Sequence, residues 1–309
     1  MDKIAFIYFQ VIRKINNKLN IKNSDKTIFL TPIYGIEEGG RLVYDLLMSE
    51  EPCLIGRIGS SEMQMLNSCL NVKCGLKKRI PSEKIDIIYT YSGFFPKNEE
   101  LAWSFFDEYC SAVECADVMA ILGNNDEDYM IKEYNKNTKV ISLRALEPYY
   151  SNSPWTKALE GKKVLVIHPF AETIKEQYKK RKQIFSNIDT LPKFELKTIK
   201  AVQTLADNKA DFDDWFEALN YMKQQIKETE FDIAIIGCGA YAFPLGAYVK
   251  QIGKKAVVLA GATQILFGIK GSRWDNHPVI SKLYNENWVR PKESEKPKQF
   301  SKIEGGCYW

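Results

Sequence analysis

The residues best suited to chemistry lie in two short glycine-bearing stretches. In Gly56-Arg57-Ile58-Gly59-Ser60-Ser61-Glu62 a guanidinium and a carboxylate are spaced around a glycine. Arg57 has the planar fork that grips a phosphate or carboxylate, and Glu62 can bind a metal or orient a hydroxyl. Gly59 lets a backbone approach a ligand closely. The same residues suit a plainer arrangement, in which Ser60 or Ser61 caps a helix and Glu62 sits in its first turn, where the dipole favours a carboxylate. The second stretch, Gly237-Cys238-Gly239-Ala240-Tyr241, is expected to leave a strand and open a helix. Such a turn offers backbone N–H groups to an anion and suits a diphosphate, or else its glycines serve tight packing alone. Ala242 stands where the dinucleotide fingerprint needs its third glycine, and no acidic residue follows the next strand to hold a ribose, so nicotinamide dinucleotide is disfavoured.

Further polar candidates follow. Gly261 and Gln264, then Lys270 and Arg273, fall after the next strand and so reach the same sheet edge as Gly237 if the strands are parallel. Gln264, Lys270 and Arg273 are donors for phosphate or sugar hydroxyls, and Trp274 can stack on a sugar or base. His168 is one of two histidines and ends a strand, which suits a general base, an orienting group or a cap for the next helix. His277, beside Pro278, reads as structural. The chain carries no GxxxxGK[ST] loop, GxSxG elbow or HExxH helix.

The elements that must position these residues alternate. A helix is expected at 40–49, a short apolar strand at 53–58, a helix opening near Ser61, and buried strands at 117–122 and 139–142. The second half reads more clearly: a strand at 162–168 running into His168-Pro169, a charged helix at 169–182, a strand at 194–199 and a helix at 213–228. A strand at 231–236, a helix at 241–252 ending at Gly253, and a strand at 256–259 then make a βαβ unit. The fold class expected is α/β, a Rossmann-like, mostly parallel sheet flanked by helices. Residues 26–290 form its domain, with one half to about residue 160 and a Rossmann-like half over 161–290.

The ends differ in character. Residues 1–25 read as an amphipathic helix, apolar from Ile4 to Ile12 and basic at Arg13, Lys14, Lys18 and Lys22. It suits either packing on the body or a peripheral membrane contact through residues 1–22. The polar 24–26 separates it from the domain. The tail, 291–309, is polar and then abruptly aromatic at Cys307-Tyr308-Trp309, a pattern that folds back to dock. The apolar start is too short to span a bilayer and has no small-residue cleavage site. The seven cysteines have no metal-ligand or disulfide spacing, which points to a reduced, cytoplasmic setting, at the inner face of the membrane if the first helix binds it. A net charge of +4, from 43 basic and 39 acidic residues, argues against nucleic acid as a partner.

Arg57-Ile58-Gly59-Ser60-Ser61-Glu62 and the later order of strand, glycine turn, helix, Gly253, strand and Gly261 resemble the GT-D-type glycosyltransferases, over about residues 32–274. Only the first motif is specific. The resemblance implies one catalytic domain, hexosyltransferase-like, that moves a sugar from a nucleotide-sugar donor, often UDP-linked, to a glycan acceptor in surface polysaccharide or glycoconjugate synthesis. It implies Arg57 and Glu62 at the donor diphosphate. The family's motif usually reads Arg-x-Gly-Asp-Gly-Glu, whose carboxylates accompany a divalent metal, Mn²⁺ or Mg²⁺. Here Ser60 and Ser61 replace Asp and Gly, leaving Glu62 as a poor metal site by itself. The expected catalytic set is Arg57, Glu62 and His168. Rival expectations are another transferase using the same crevice, such as a pyruvyl transferase, and a non-catalytic nucleotide- or glycan-binding protein.

Overall fold

A computed structural model describes residues 3–18, 27–28, 31–205, 211–303 and 305–309. Lys22 and the separating stretch 24–26 lie outside the described residues. The first half runs α1 (Lys3–Lys18), β1 (Thr27–Ile28), β2 (Thr31–Tyr34), α2 (Ile36–Met48), β3 (Leu54–Gly56) and α3 (Ser60–Lys73). It continues with α4 (Ser82–Ser92), α5 (Glu99–Glu114), β4 (Val118–Ile121), α6 (Glu127–Tyr134), β5 (Lys139–Ser142) and α7 (Leu143–Leu146). The second half opens with β6 (Lys163–His168), α8 (Ala171–Lys179), β7 (Glu195–Lys200) and α9 (Trp215–Glu228). It ends with β8 (Ile233–Ile236), α10 (Ala242–Gln251), β9 (Lys255–Val258) and α11 (Ala262–Leu266).

Among the described residues nine strands join in the order β1-β2-β5-β4-β3-β9-β8-β6-β7. Strands β2 to β9 pair in parallel, and two-residue β1 adds an antiparallel edge. The fold is α/β and Rossmann-like. Its central strands, such as β3, β8 and β9, are short apolar runs because helices cover both faces, while edge strand β7 carries Glu195, Lys197 and Lys200. Successive residues alternate between the faces: Leu54, Met119, Ile236 and Val258 join one core cluster, while Ile55, Val118, Ile235 and Val257 join the other. The two halves of the chain meet where β3 pairs β9, with Leu54 opposite Ala256 and Ile55 opposite Val257. From β3 the chain winds outward through β4 and β5, then crosses and winds back through β8 to β9. Strand order therefore reverses at β3 and β9, and the loops leaving their carboxyl ends diverge to leave a crevice.

Several boundaries differ from the sequence expectation for tertiary reasons. Helix α2 starts at Ile36, before the expected 40, because Gly39 is selected by packing: a Cβ there would lie 2.7 Å from the Ala145 Cβ. The helix expected over 169–182 regularises as α8 and then tightens into a 3₁₀ turn, Arg181–Gln183. Strand β2 gave no signal because its Pro32 disfavours strand interiors, and it lies beside the short edge strand.

Both ends of the chain are docked. Helix α1 buries Phe6 and Phe9 edge-on against Tyr129 of α6, with ring centroids at 4.8 and 5.5 Å. Arg13 bonds Asp126 and Asp128, and Gln10 donates to Asn71 of α3 at 3.3 Å. The tail caps α8 with the buried Glu295, whose carboxylate accepts the N–H groups of Glu172 at 2.8 Å and Thr173 at 3.3 Å. Among the described residues no helix is long and apolar enough to cross a membrane.

Candidate functional site

A cleft of about 220 Å³ opens where β3, β6, β8 and β9 end, and it gathers both glycine-bearing turns on one rim. Arg57 follows β3 directly. It is half-buried and forms no ion pair or hydrogen bond with another described residue. Two carboxyls that feel its charge are the buried Glu127 and the half-buried Glu147. Burial pushes each up to about 7, although Arg57, together with three backbone N–H groups on Glu127 and with Arg144 on Glu147, pulls the other way.

Beyond Arg57, Gly59 is the N-cap of α3, with extended backbone, and Glu62 is the third residue of the helix. The Glu62 side chain folds back over the glycine: a Cβ on Gly59 would lie 2.0 Å from Glu62 Oε2. The spacing Gly-x-x-Glu is thus the distance between a cap and the residue one turn on. Glu62 is only 4% exposed yet faces the cleft. Ser61 Oγ lies 3.4 Å from the same carboxylate and 2.6 Å from Ser92 Oγ at the end of α4. Ser60 is exposed and also borders a second, polar cleft with Gln64, Asn67 and Asn124. The Asn124 Nδ2 is buried there with no partner among the described residues.

The turn after β8 is wedged rather than open. A Cβ on Gly237 would lie 2.5 Å from both the Ala260 carbonyl oxygen and Thr263 Oγ1. Gly239 has φ +60° and starts a 3₁₀ turn, Gly239–Tyr241, that runs into α10. The first N–H groups of that turn have no acceptor inside it, and Gly237, Cys238 and Gly239 line the cleft. Tyr241 stacks on Trp215 at 5.2 Å and 11°, and its hydroxyl lies 3.2 Å from Thr204 Oγ1, so its polar atom is already engaged. After β9, Ala260 holds a left-handed φ of +49°, a conformation that a non-glycine residue keeps only when its surroundings impose it.

His168 ends β6 in the cleft wall. Its Nδ1 accepts the Phe170 N–H at 3.0 Å, which places the ring proton on Nε2, and burial pushes the imidazolium pKa down to about 3. The ring is neutral and donates through Nε2, so of the two base candidates Glu62 has the better chemistry.

Other expected residues are distributed unevenly. Gly261 is in the cleft, packed under Tyr308, whose ring would be 3.1 Å from a Cβ there. Gln264 borders the cleft but is fully buried, and its Nε2 lies 3.1–3.3 Å from the carbonyls of Ile269, Lys270 and Tyr308. It holds the tail and is not a free donor. Lys270 is outside the cleft, with its ammonium 5.1 Å from the Tyr284 ring centroid. Arg273 stands at the mouth, its guanidinium 4.7 Å from the Tyr308 ring centroid and its Nη1 donating to the Tyr308 hydroxyl at 3.2 Å. Trp274 is buried beneath Gly271 and does not line the cleft. Of the aromatic residues that line it, Tyr109, Phe170, Tyr241 and Phe243 are buried, and the accessible ones are Tyr91, Tyr308 and Trp309, of which only the tail pair gave a sequence signal.

Glu62 is the one acidic side chain among the described residues of the cleft, and no group of three or more His, Cys, Asp or Glu able to hold a metal occurs among the described residues. One carboxylate does not make the oxygen-rich set that Mg²⁺ or Mn²⁺ takes. The donor set thus does not fit a protein-built divalent site. Comparison with known protein families, with curated proteins and with solved structures finds no match.

Proposed function

We propose that the chain is a glycosyltransferase that takes a sugar from a nucleotide-sugar donor, UDP-linked in the simplest case, and passes it to a glycan acceptor in surface polysaccharide or glycoconjugate synthesis. The observation that carries this reading is Arg57, a half-buried guanidinium with no protein partner among the described residues. It stands on the same rim as the first turn of α3 and the 3₁₀ turn at Gly239. A diphosphate seated between them meets one full positive charge and two sets of unpaired N–H groups. The chemistry needs little more: as the sugar departs, charge grows on the diphosphate, and preorganised donors stabilise it without reorganising. Glu62 takes the proton of the acceptor hydroxyl, and His168 donates a hydrogen bond from Nε2. Tyr91, Tyr308 and Trp309 offer faces for the nucleobase and sugar. The amide-rich cleft that shares Ser60 lies beside the diphosphate seat and suits a hydroxyl-rich acceptor.

A second reading is favoured by one residue. Ser60, where a carboxylate would support a metal, suits a protein that binds nucleotide sugars without turnover. Release of nucleotide diphosphate from a panel of nucleotide sugars, with and without Mn²⁺, separates the two. Turnover supports the transferase, and binding by calorimetry without turnover supports the binding protein. For the transferase, Arg57→Ala is expected to lower turnover by about 1000-fold with the melting temperature nearly unchanged. An Arg57→Ala protein that turns over normally would remove the basis of the proposal.

A further inference from the structure

Helix α1 carries two apolar faces, and the fold uses only one. Phe6, Phe9 and Arg13 face the body. On the opposite side Ile4, Tyr8, Val11 and Ile15 recur at helical spacing and are exposed, with Ile4 80% accessible and Ile7 beside them. Of the twelve exposed large hydrophobic residues described, these five share one helix, whereas the other seven are scattered; scattered residues need no explanation but a stripe does. Lys14 and Lys18 are exposed along the same helix, and α1 contains no acidic residue. Of the other two cations of α1, Arg13 is tied to Asp126 and Asp128 in the body and Lys3 lies at the far end of the helix, its ammonium beside Gly75.

We infer that this face of α1 seats the protein on an anionic phospholipid surface. The apolar stripe enters the boundary between headgroups and acyl chains, and Lys14 and Lys18 meet the lipid phosphates. Charge complementarity selects this occupant: a face flanked by lysines that have no ion-pair partner and no acid beside them among the described residues of α1 repels a second copy of itself, while it matches a negative bilayer. Arg13 fixes the lysine-bearing end of α1 to the loop after β4, on the same rim of the parallel sheet as Arg57. Since Gln10 and Lys3 lie by the far end of α3, docking lays one side of the domain along the membrane, with the cleft rim at its lysine-bearing end. The inference does not depend on the chemistry assigned to the cleft.

Co-sedimentation of the full chain with vesicles tests it. Wild type is expected to pellet with phosphatidylcholine vesicles containing about one third phosphatidylglycerol, and about tenfold less with phosphatidylcholine alone. V11E/I15E is expected to lose binding by about tenfold or more, K14E/K18E to lose the preference for the anionic vesicles, and both to melt like wild type. Should V11E/I15E melt early, I4E replaces it, since that side chain is the most exposed of the stripe. Wild type remaining in the supernatant, or variants binding like wild type, overturns the inference. So does a wild-type dimer in light scattering that V11E/I15E dissolves in the absence of lipid binding.

Discussion

The turns after β3 and β8 face each other across the cleft, and both place a glycine between a buried parallel strand and a helix, yet each glycine is needed for a different reason. At Gly59 the space a Cβ would take is filled by the end of the Glu62 side chain, which has three rotatable bonds. At Gly237 it is filled by the Ala260 carbonyl oxygen, which cannot withdraw without moving the turn after β9, and by two buried side chains, the Thr263 hydroxyl and, at 2.9 Å, the His168 ring. The first turn is compliant and carries the charged groups. The second is rigid and carries its anion-binding potential in backbone N–H groups. Chemistry and stability are thus separable along one rim, and substitutions should report them separately.

Gly237→Ala gives the largest effect. A contact at 2.5 Å with the Ala260 carbonyl oxygen, joined by a second with the buried Thr263 hydroxyl, forces the β8 and β9 turns apart, and a cost of about 3 kcal/mol is expected in urea unfolding, at the upper end for overpacking. Turnover per folded molecule should change less than stability does. Gly59→Ala inverts the pattern: the new methyl evicts the Glu62 carboxylate, turnover falls about 100-fold, and stability moves by less than about 1 kcal/mol. If the two substitutions behave alike, the distinction between a compliant and a rigid turn is wrong. A Gly59→Ala protein that loses activity only as Glu62→Ala does would sharpen it, because the glycine then acts through the carboxylate alone.

This contrast also marks what the sequence could reveal. The strands were legible because a sheet covered on both faces needs uninterrupted apolar runs, as in Ile233–Ile236, and the convergence of the turns at 57 and 237 follows from parallel strands ending on one rim. Local spacing also put Glu62 in the first turn of α3, although the cap is Gly59 rather than Ser60 or Ser61. What composition could not supply was the direction of side chains beyond the strands. Lys270 and Trp274 look like ligand groups in the chain, but one lies on Tyr284 and the other under Gly271. Tyr91 gave no signal, since its role depends on α4 ending against α3 through the Ser61–Ser92 contact. Gln264 was read as a donor to ligand; three carbonyls brought together by the returning tail claim it instead, a contact between residues far apart in sequence.

His168 offers the finest test, because it belongs to the rigid side and touches the chemistry. Its ring carries an ordinary value of 6.5 in the unfolded chain and about 3 in the fold, the shift coming from burial. Between those values the unfolded chain binds a proton that the folded chain refuses, so stability is intact above pH 6.5 and falls as pH drops through the window. At pH 5 this group alone is expected to cost about 2 kcal/mol relative to pH 7.5. His168→Gln, whose amide can still donate towards the cleft, should narrow that gap in urea unfolding at the two pH values. Turnover should show no acid limb near 6.5 in wild type, since the folded ring stays neutral there, and should fall only about tenfold in the glutamine variant. A limb near 6.5 that disappears on His168→Gln would make the imidazole a titrating base after all. It would also move the proton-accepting role from the compliant turn at Glu62 to the rigid wall opposite.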